Sequence, residues 1–274
     1  MNRFFILLLT LITFSSYSQT NFSTSESPYE LNWSVDGPYL GGSLALTGLG
    51  FYLIQEKEGL TVEEVNNLNK DDIWAIDRWS AGNYSASADD LSYYPFYGSF
   101  AVPVVMMLAD SDQRSHIGQI SVMYVETMAT TGALFSMSVG LIDRYRPMVY
   151  SDDVPMHEKT APSSTRSFFA GHTAAAAAAT FFAAKVFSDF HPDSWARPYV
   201  WIAAALVPAW VGYLRHDAGK HFITDNILGY GIGALSGILI PELHKKENSN
   251  LSLTPTFGNQ FGNQYQGLSF RYTF

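Results

Sequence analysis

Apolar positions along the chain gather into six long runs separated by polar stretches. Leu40–Ile54, Phe96–Ala109, Ile117–Ile142, Phe168–Phe187, Tyr199–Leu214 and Ile227–Leu243 are nearly free of charge over helical lengths, which predicts an all-α bundle of about six core helices. Within them, Pro103 marks a kink, and the six alanines Ala174–Ala179 favour helix while leaving a thin surface for close packing. Gly229, Gly233 and Gly237, spaced four apart, form a ridge that lets a neighbouring helix approach. Gly229, Gly231 and Gly233 are no dinucleotide loop, because no strand precedes them.

The polar stretches between the runs read differently from one another. Gln55–Asp72 is charged, and Thr61 with Glu64 makes a capping box that predicts a short surface helix. Ile73–Trp79 is amphipathic, and Ala81–Tyr94, rich in Ser and Asp, reads as a loop. Asp110–Arg114 reads as a solvated turn. Val149–Arg166, with its Pro, Ser and charge, reads as a loop able to cover a pocket. Beyond the last helix the period changes to two. Leu251–Phe257 and Gln266–Phe274 flank a repeated Gly-Asn-Gln and predict a hairpin packed on the helices. The final Phe is a feature of outer-membrane strands, but two strands cannot close a barrel of at least ~8.

The first residues have the form of a cleavable export signal: Arg3, an apolar core at Phe4–Phe14, then Ser16 and Ser18 before a cut near Gln19. The expected organisation is a leader over 1–18, a polar lead-in over 19–39, a helical domain over 40–246 and a hairpin tail over 247–274. A net charge of −9 without a Lys/Arg-rich run excludes nucleic acid as a partner, and the absence of Cys excludes a disulfide framework. Mean hydropathy is only +0.01 and several runs hold ~15 apolar residues, short of the ~20 a span requires. The reading is therefore an exported, periplasmic bundle with a membrane surface as partner. An integral protein of about six spans is the alternative.

Three stretches carry chemistry. Asp143–Tyr150 reads DRYRPMVY, Ser167–Thr173 reads SFFAGHT, and Arg215–Asp225 reads RHDAGKHFITD. A helix starting near Lys220 would carry His221 and Asp225 on one face, with the carboxylate fixing the imidazole tautomer and Arg215 offering a planar cation for phosphate. The RP dipeptide, the GHT segment and the R-x5-H-x3-D spacing, in that order, resemble the type 2 phosphatidic acid phosphatase (PAP2) and vanadium haloperoxidase superfamily. The likeness runs over roughly Leu40–Leu243 and is near its exported bacterial phosphatases.

That resemblance implies a metal-independent phosphatase, without cofactor, that hydrolyses a phosphomonoester or pyrophosphate of a small molecule or lipid. His221 would be the nucleophile forming a phosphohistidine, Asp225 would orient it, and His172 would act as acid and then base. Arg146, Arg215, the Gly171 N–H and Arg144 would hold phosphate. His116, His157, His191, His216 and His244 stand outside the pattern and in no zinc-type spacing. Two departures matter: Val139 stands where the superfamily has a Lys, and Ala170 where it has a Ser. Arg144, Arg166 or Lys159 would have to supply the missing cation. A vanadate-dependent haloperoxidase and a weakened phospholipid-binding envelope protein are the alternative functions.

Overall fold

A computed structural model describes residues 26–246, 251–260 and 263–272. The leader predicted over 1–18 lies outside the described residues. Six long helices dominate: α1 (Trp33–Gln55), α2 (Ala86–Ala109), α3 (Ile117–Leu141), α4 (Gly171–Phe190), α5 (Arg197–Asp217) and α6 (Ile223–Leu243). Single turns at Val62–Asn66, Ala75–Arg78, Ser111–Ser115 and Met156–Lys159 decorate the connections. The capping box forms as expected, with Glu64 accepting from the Thr61 N–H at 2.7 Å and the Thr61 hydroxyl accepting from the Glu64 N–H at 3.2 Å.

Helix α4 is the axis of the bundle, touched by α2, α3, α5 and α6, while α1 packs on α3. Its alanines explain why: Ala174 and Ala176–Ala179 are fully buried, and their small side chains let four neighbours come close. The α6 ridge behaves as expected. A Cβ on Gly229, Gly233 or Gly237 would lie 2.5, 2.0 or 2.6 Å from the carbonyl oxygens of Ala170, Ala174 and Ala178, a matching four-residue row on α4. These two helices therefore meet backbone to backbone. Buried Thr127, Thr131 and Thr180 bond to carbonyls one turn back on their own helices, so none of these three hydroxyls is orphaned.

Three helix starts differ from expectation. Helix α1 begins seven residues before Leu40, capped by Asn32, whose side chain accepts the Ser34 N–H at 3.2 Å. Helix α2 begins at Ala86 inside the stretch read as a loop, because Ser85 caps it by accepting the Ala88 N–H at 3.2 Å; both Pro95 and Pro103 lie within it. Helix α6 begins at Ile223, so His221 precedes the helix instead of riding on it. The turn between α5 and α6 depends on Gly219, whose φ of +69° and approach of a would-be Cβ to 1.9 Å from the Asn83 carbonyl exclude a side chain.

The tail is an antiparallel hairpin of β1 (Leu251–Gln260) and β2 (Asn263–Tyr272), in register from Leu251↔Tyr272 to Gln260↔Asn263. Leu268 and Phe270 of β2 are exposed, so the packing expected of this strand on the helices is not found at those residues.

Hydrophobic exposure is concentrated on the outer faces of the bundle. Leu44, Leu49 and Phe51 of α1, Val105 and Leu108 of α2, Leu134 of α3, Ile202, Leu206 and Trp210 of α5, and Ile227 and Leu235 of α6 all face outward. No Asp, Glu, Lys or Arg interrupts 37–55, 91–109, 198–214 or 226–241, and α3 carries only the buried Glu126. Charges sit at the helix ends. Among the described residues, two helices, α2 and α6, are long and apolar enough to cross a membrane by length and composition alone.

Candidate functional site

The three sequence stretches meet at one end of the bundle, where α2, α4 and α6 begin and α1, α3 and α5 end. The connection after α3 runs back over this end. Arg146 N–H bonds to the Ser164 carbonyl at 2.8 Å, and Met148 N–H to the Gly219 carbonyl at 3.0 Å, which ties it to the α5–α6 turn. The α5–α6 turn places Arg215 and His221 side by side in space, and the start of α4 supplies His172.

His221 is almost wholly buried, and its Nδ1 lies 2.7 Å from the Ser167 carbonyl. A carbonyl only accepts, so Nδ1 carries the proton and Nε2 presents a lone pair. Burial, then the charges of Arg146 and Arg215, hold its pKa well below the usual histidine value, while the Ser167 carbonyl works in the opposite direction. His221 is thus a neutral, oriented imidazole facing two cations, and His172 is near enough to act on it electrostatically.

Arg146 has no carboxylate partner among the described residues, and its buried Nε has no hydrogen bond. Burial and the neighbouring Arg215 charge pull its pKa down to about 10, which leaves it cationic at neutral pH. Arg215 is buried; it donates to Asp89 and, at 3.3 Å, to the Ser92 hydroxyl, and its guanidinium lies 5.8 Å from the Tyr93 ring centroid. Lys220 reaches the other Asp89 oxygen at 3.1 Å. His172 packs with its ring centroid 4.3 Å from that of Phe96 and 5.4 Å from that of Tyr93. Gly171 opens α4, and a Cβ there would stand 2.4 Å from the Phe135 ring, so the aromatic wall requires glycine.

Two expected roles need correction. Asp225 does not contact His221. Its carboxylate accepts from Arg144, from the Ser167 hydroxyl at 2.7 Å and from the Phe222 N–H at 3.0 Å, so it reaches His221 only through the Ser167 segment. The cause is the late start of α6, which puts Asp225 in its first turn and turned back on the N-cap. Arg144 is likewise not free for phosphate: it bridges Asp225 and Asp77, the latter at 2.7 Å, with its guanidinium 4.9 Å from the Phe222 ring centroid. It is the ion-pair partner of two buried carboxylates.

The missing motif cation is not replaced at its own place. Val139 is buried, and the ammonium near it, Lys57, bonds to the Val139 and Ile142 carbonyls at 2.5 and 2.7 Å, which caps the end of α3. Of the residues suggested as substitutes, Arg166 lies within electrostatic reach of Arg146 and donates to the Ile54 carbonyl at 2.8 Å. Lys159 ends the Met156–Lys159 turn. Sequence reasoning missed four contributors: Asp89, Ser92, Ser167 and Lys220. The first two stood in the stretch read as a loop, where Ser85 before an Ala-rich turn was the available signal for a helix. Ser167 acts through its carbonyl, for which no side-chain signal exists.

Residues 121–249 match the family model described as PAP2 superfamily. Over this segment, just under half of its length, the chain is similar to the PAP2 superfamily. The match begins in α3 and takes in all three stretches that build the site. Likeness to the PAP2 superfamily implies phosphoric ester hydrolysis in general terms, on phosphorylated substrates. Searches of the curated proteins and of the solved structures found no match.

Proposed function

We propose that this PAP2-like protein is a membrane-embedded lipid phosphatase that works through a phosphohistidine. The reading rests on one observation above the rest: the Ser167 carbonyl holds His221 Nδ1, which leaves the lone pair on Nε2, and Arg146, Arg215 and His172 stand near enough to act on that ring electrostatically. A phosphoryl group between the two guanidinium groups would have its charge held and its phosphorus presented in line. Nε2 attacks, the N–P bond forms, and the P–O bond to the leaving group breaks as His172 protonates the departing oxygen. His172 then takes a proton from water, which attacks phosphorus and breaks the N–P bond, returning free phosphate and neutral His221. The incoming phosphate also offsets the two arginines, which favours a proton on His172 at the moment it is needed. The free N–H groups at the α4 start add an anion-favouring dipole.

Two features support a lipid. The uncharged outer faces are each long enough, at ~1.5 Å per residue, to reach across most of a ~30 Å hydrocarbon layer. In a water-soluble bundle those faces would carry charge. The length argument that favoured a soluble bundle weighed apolar runs, but Gly, Ser and Pro at the run ends extend each helix without adding charge. Second, a groove of about 700 Å³ is lined largely by apolar and aromatic side chains, Trp74, Tyr145, Phe168, Phe222 and Leu228 among them, together with Asp72, Asp143 and Arg144. Phe168 and Phe222 directly follow Ser167 and His221 in the chain, and on this reading the groove takes an acyl or prenyl chain.

The test is turnover by the detergent-purified chain of phosphatidic acid in mixed micelles, against p-nitrophenyl phosphate, with a phosphoenzyme trapped by alkaline quench. We expect the lipid to be the better substrate and His221→Ala to lose both turnover and trapped phosphate. Full activity in His221→Ala would overturn the mechanism, and a preference for the soluble ester would overturn the lipid.

A further inference from the structure

At the end of the bundle opposite the phosphate site, three side chains from three helices converge. Asp36 lies in the first turn of α1, Glu126 in α3, and His244 just after α6. One ligand atom from each lies within 4.8 Å of the others. Glu126 has no exposed surface, and both its carboxylate oxygens lack a hydrogen bond. His244 Nε2 lacks one too, although it stands 3.1 Å from Glu126 Oε2 and 3.5 Å from Asp36 Oδ1.

We propose that Asp36, Glu126 and His244 form a structural site for a divalent transition-metal ion, of the zinc or manganese class. Three observations carry it. A tetrahedral ion with ligands at ~2.0–2.2 Å separates them by roughly 3.3–3.6 Å, close to the two nitrogen–oxygen separations here. His244 Nδ1 lies 2.7 Å from the Ile240 carbonyl, so Nδ1 carries the proton and Nε2 offers its lone pair, the arrangement typical of metal-bound imidazole. Asp36 Oδ2 accepts the Asn32 N–H at 2.7 Å, which fixes that carboxylate with Oδ1 turned inward.

Charge balance agrees. No Lys or Arg pairs with Asp36 or Glu126 among the described residues, since Lys185 and Lys245 are bound to Asp189 and Glu242. A protonated His244 would offset one carboxylate and leave the other uncompensated in a dry place, which is costly. A divalent cation offsets both. Donors of carboxylate and imidazole type suit zinc or manganese better than copper(I) or an iron–sulfur centre. Bound there, the ion would fasten α1, α3 and α6 together far from the chemistry.

The experiment uses the full chain in detergent, stripped with chelator and titrated with zinc or manganese chloride. The expected result is one equivalent bound per chain by elemental analysis, with a rise in Tm of about 5 °C at a hundredfold excess over Kd. Glu126→Gln and His244→Asn should lose both effects while keeping phosphatase turnover. His191→Gln should keep both, which separates this site from the surface group of Asp110, Asp112 and His191. No binding by the wild-type chain at millimolar metal, or binding retained in Glu126→Gln and lost in His191→Gln, would overturn the proposal.

Discussion

Gly233→Ala adds one methyl group at the point where α6 meets α4 most closely. The new carbon would lie 2.0 Å from the Ala174 carbonyl oxygen and 2.9 Å from the Ala177 Cβ, and the first of these contacts is backbone. Nothing flexible can yield, so the helices must part by about 1.5 Å to restore ordinary contact distances of ~3.5 Å. Overpacking of this kind costs ~1–3 kcal/mol of stability. It also moves the start of α4, with Gly171 and His172, away from His221 before α6. A displacement of ~1 Å in a catalytic constellation is worth about 10²-fold in rate. Gly231→Ala provides the control, because a Cβ there meets nothing within 4 Å and the change should gain helix propensity of up to ~1 kcal/mol. Paired thermal melts and kcat/KM in mixed micelles decide the matter. If Gly233→Ala melts and turns over like Gly231→Ala, the claim that a backbone-to-backbone seam sets the site geometry is wrong.

Other expectations follow from the same contacts. Arg144→Gln removes the cation between buried Asp77 and Asp225 and should destabilise the protein by ~3–5 kcal/mol in thermal or denaturant unfolding, with KM for phosphate esters little changed in whatever folds. Ser167→Ala deletes the hydroxyl on Asp225 but keeps the carbonyl on His221, so kcat should fall by about tenfold, far less than in His221→Ala. Because the His221 pKa is lowered by folding, the unfolded chain binds a proton below about pH 6.5 that the native state refuses, so this group removes stability as pH falls through that range. The acid limb of kcat/KM should accordingly lie well below pH 6.5, and Arg146→Met should move it toward neutrality; an unmoved limb would show that Arg146 does not act on His221.

Much of this molecule was legible in its sequence, and the places where reading stopped have physical reasons. The six helices announce themselves through uncharged runs, and the glycine ridge on α6 finds the partner its spacing calls for. The start of α2 was lost because Asp89, Ser92 and Tyr93 are polar for the sake of Arg215, so residues serving a buried cation looked like a solvent loop. Arg144 and Arg146 are two residues apart in a loop, where no periodicity says which guanidinium faces the pocket and which is consumed by carboxylates on distant elements. Asp225 illustrates a further limit: a His-x3-Asp spacing suggests contact only if both residues ride on one helix, and the cap at Phe222 decides otherwise. The proposed membrane placement rests on which face of each helix is outward, and that is tertiary information.

An even number of crossings would give the molecule two chemically distinct poles. The catalytic histidines and the incoming phosphorylated headgroup would share one aqueous compartment, while the terminal hairpin would stand in the other, with the buried Asp36, Glu126 and His244 cluster toward its side. A protease confined to the hairpin's side of a sealed vesicle would then trim the tail without touching turnover. Substrate restricted to that same leaflet would stay intact until it flipped across.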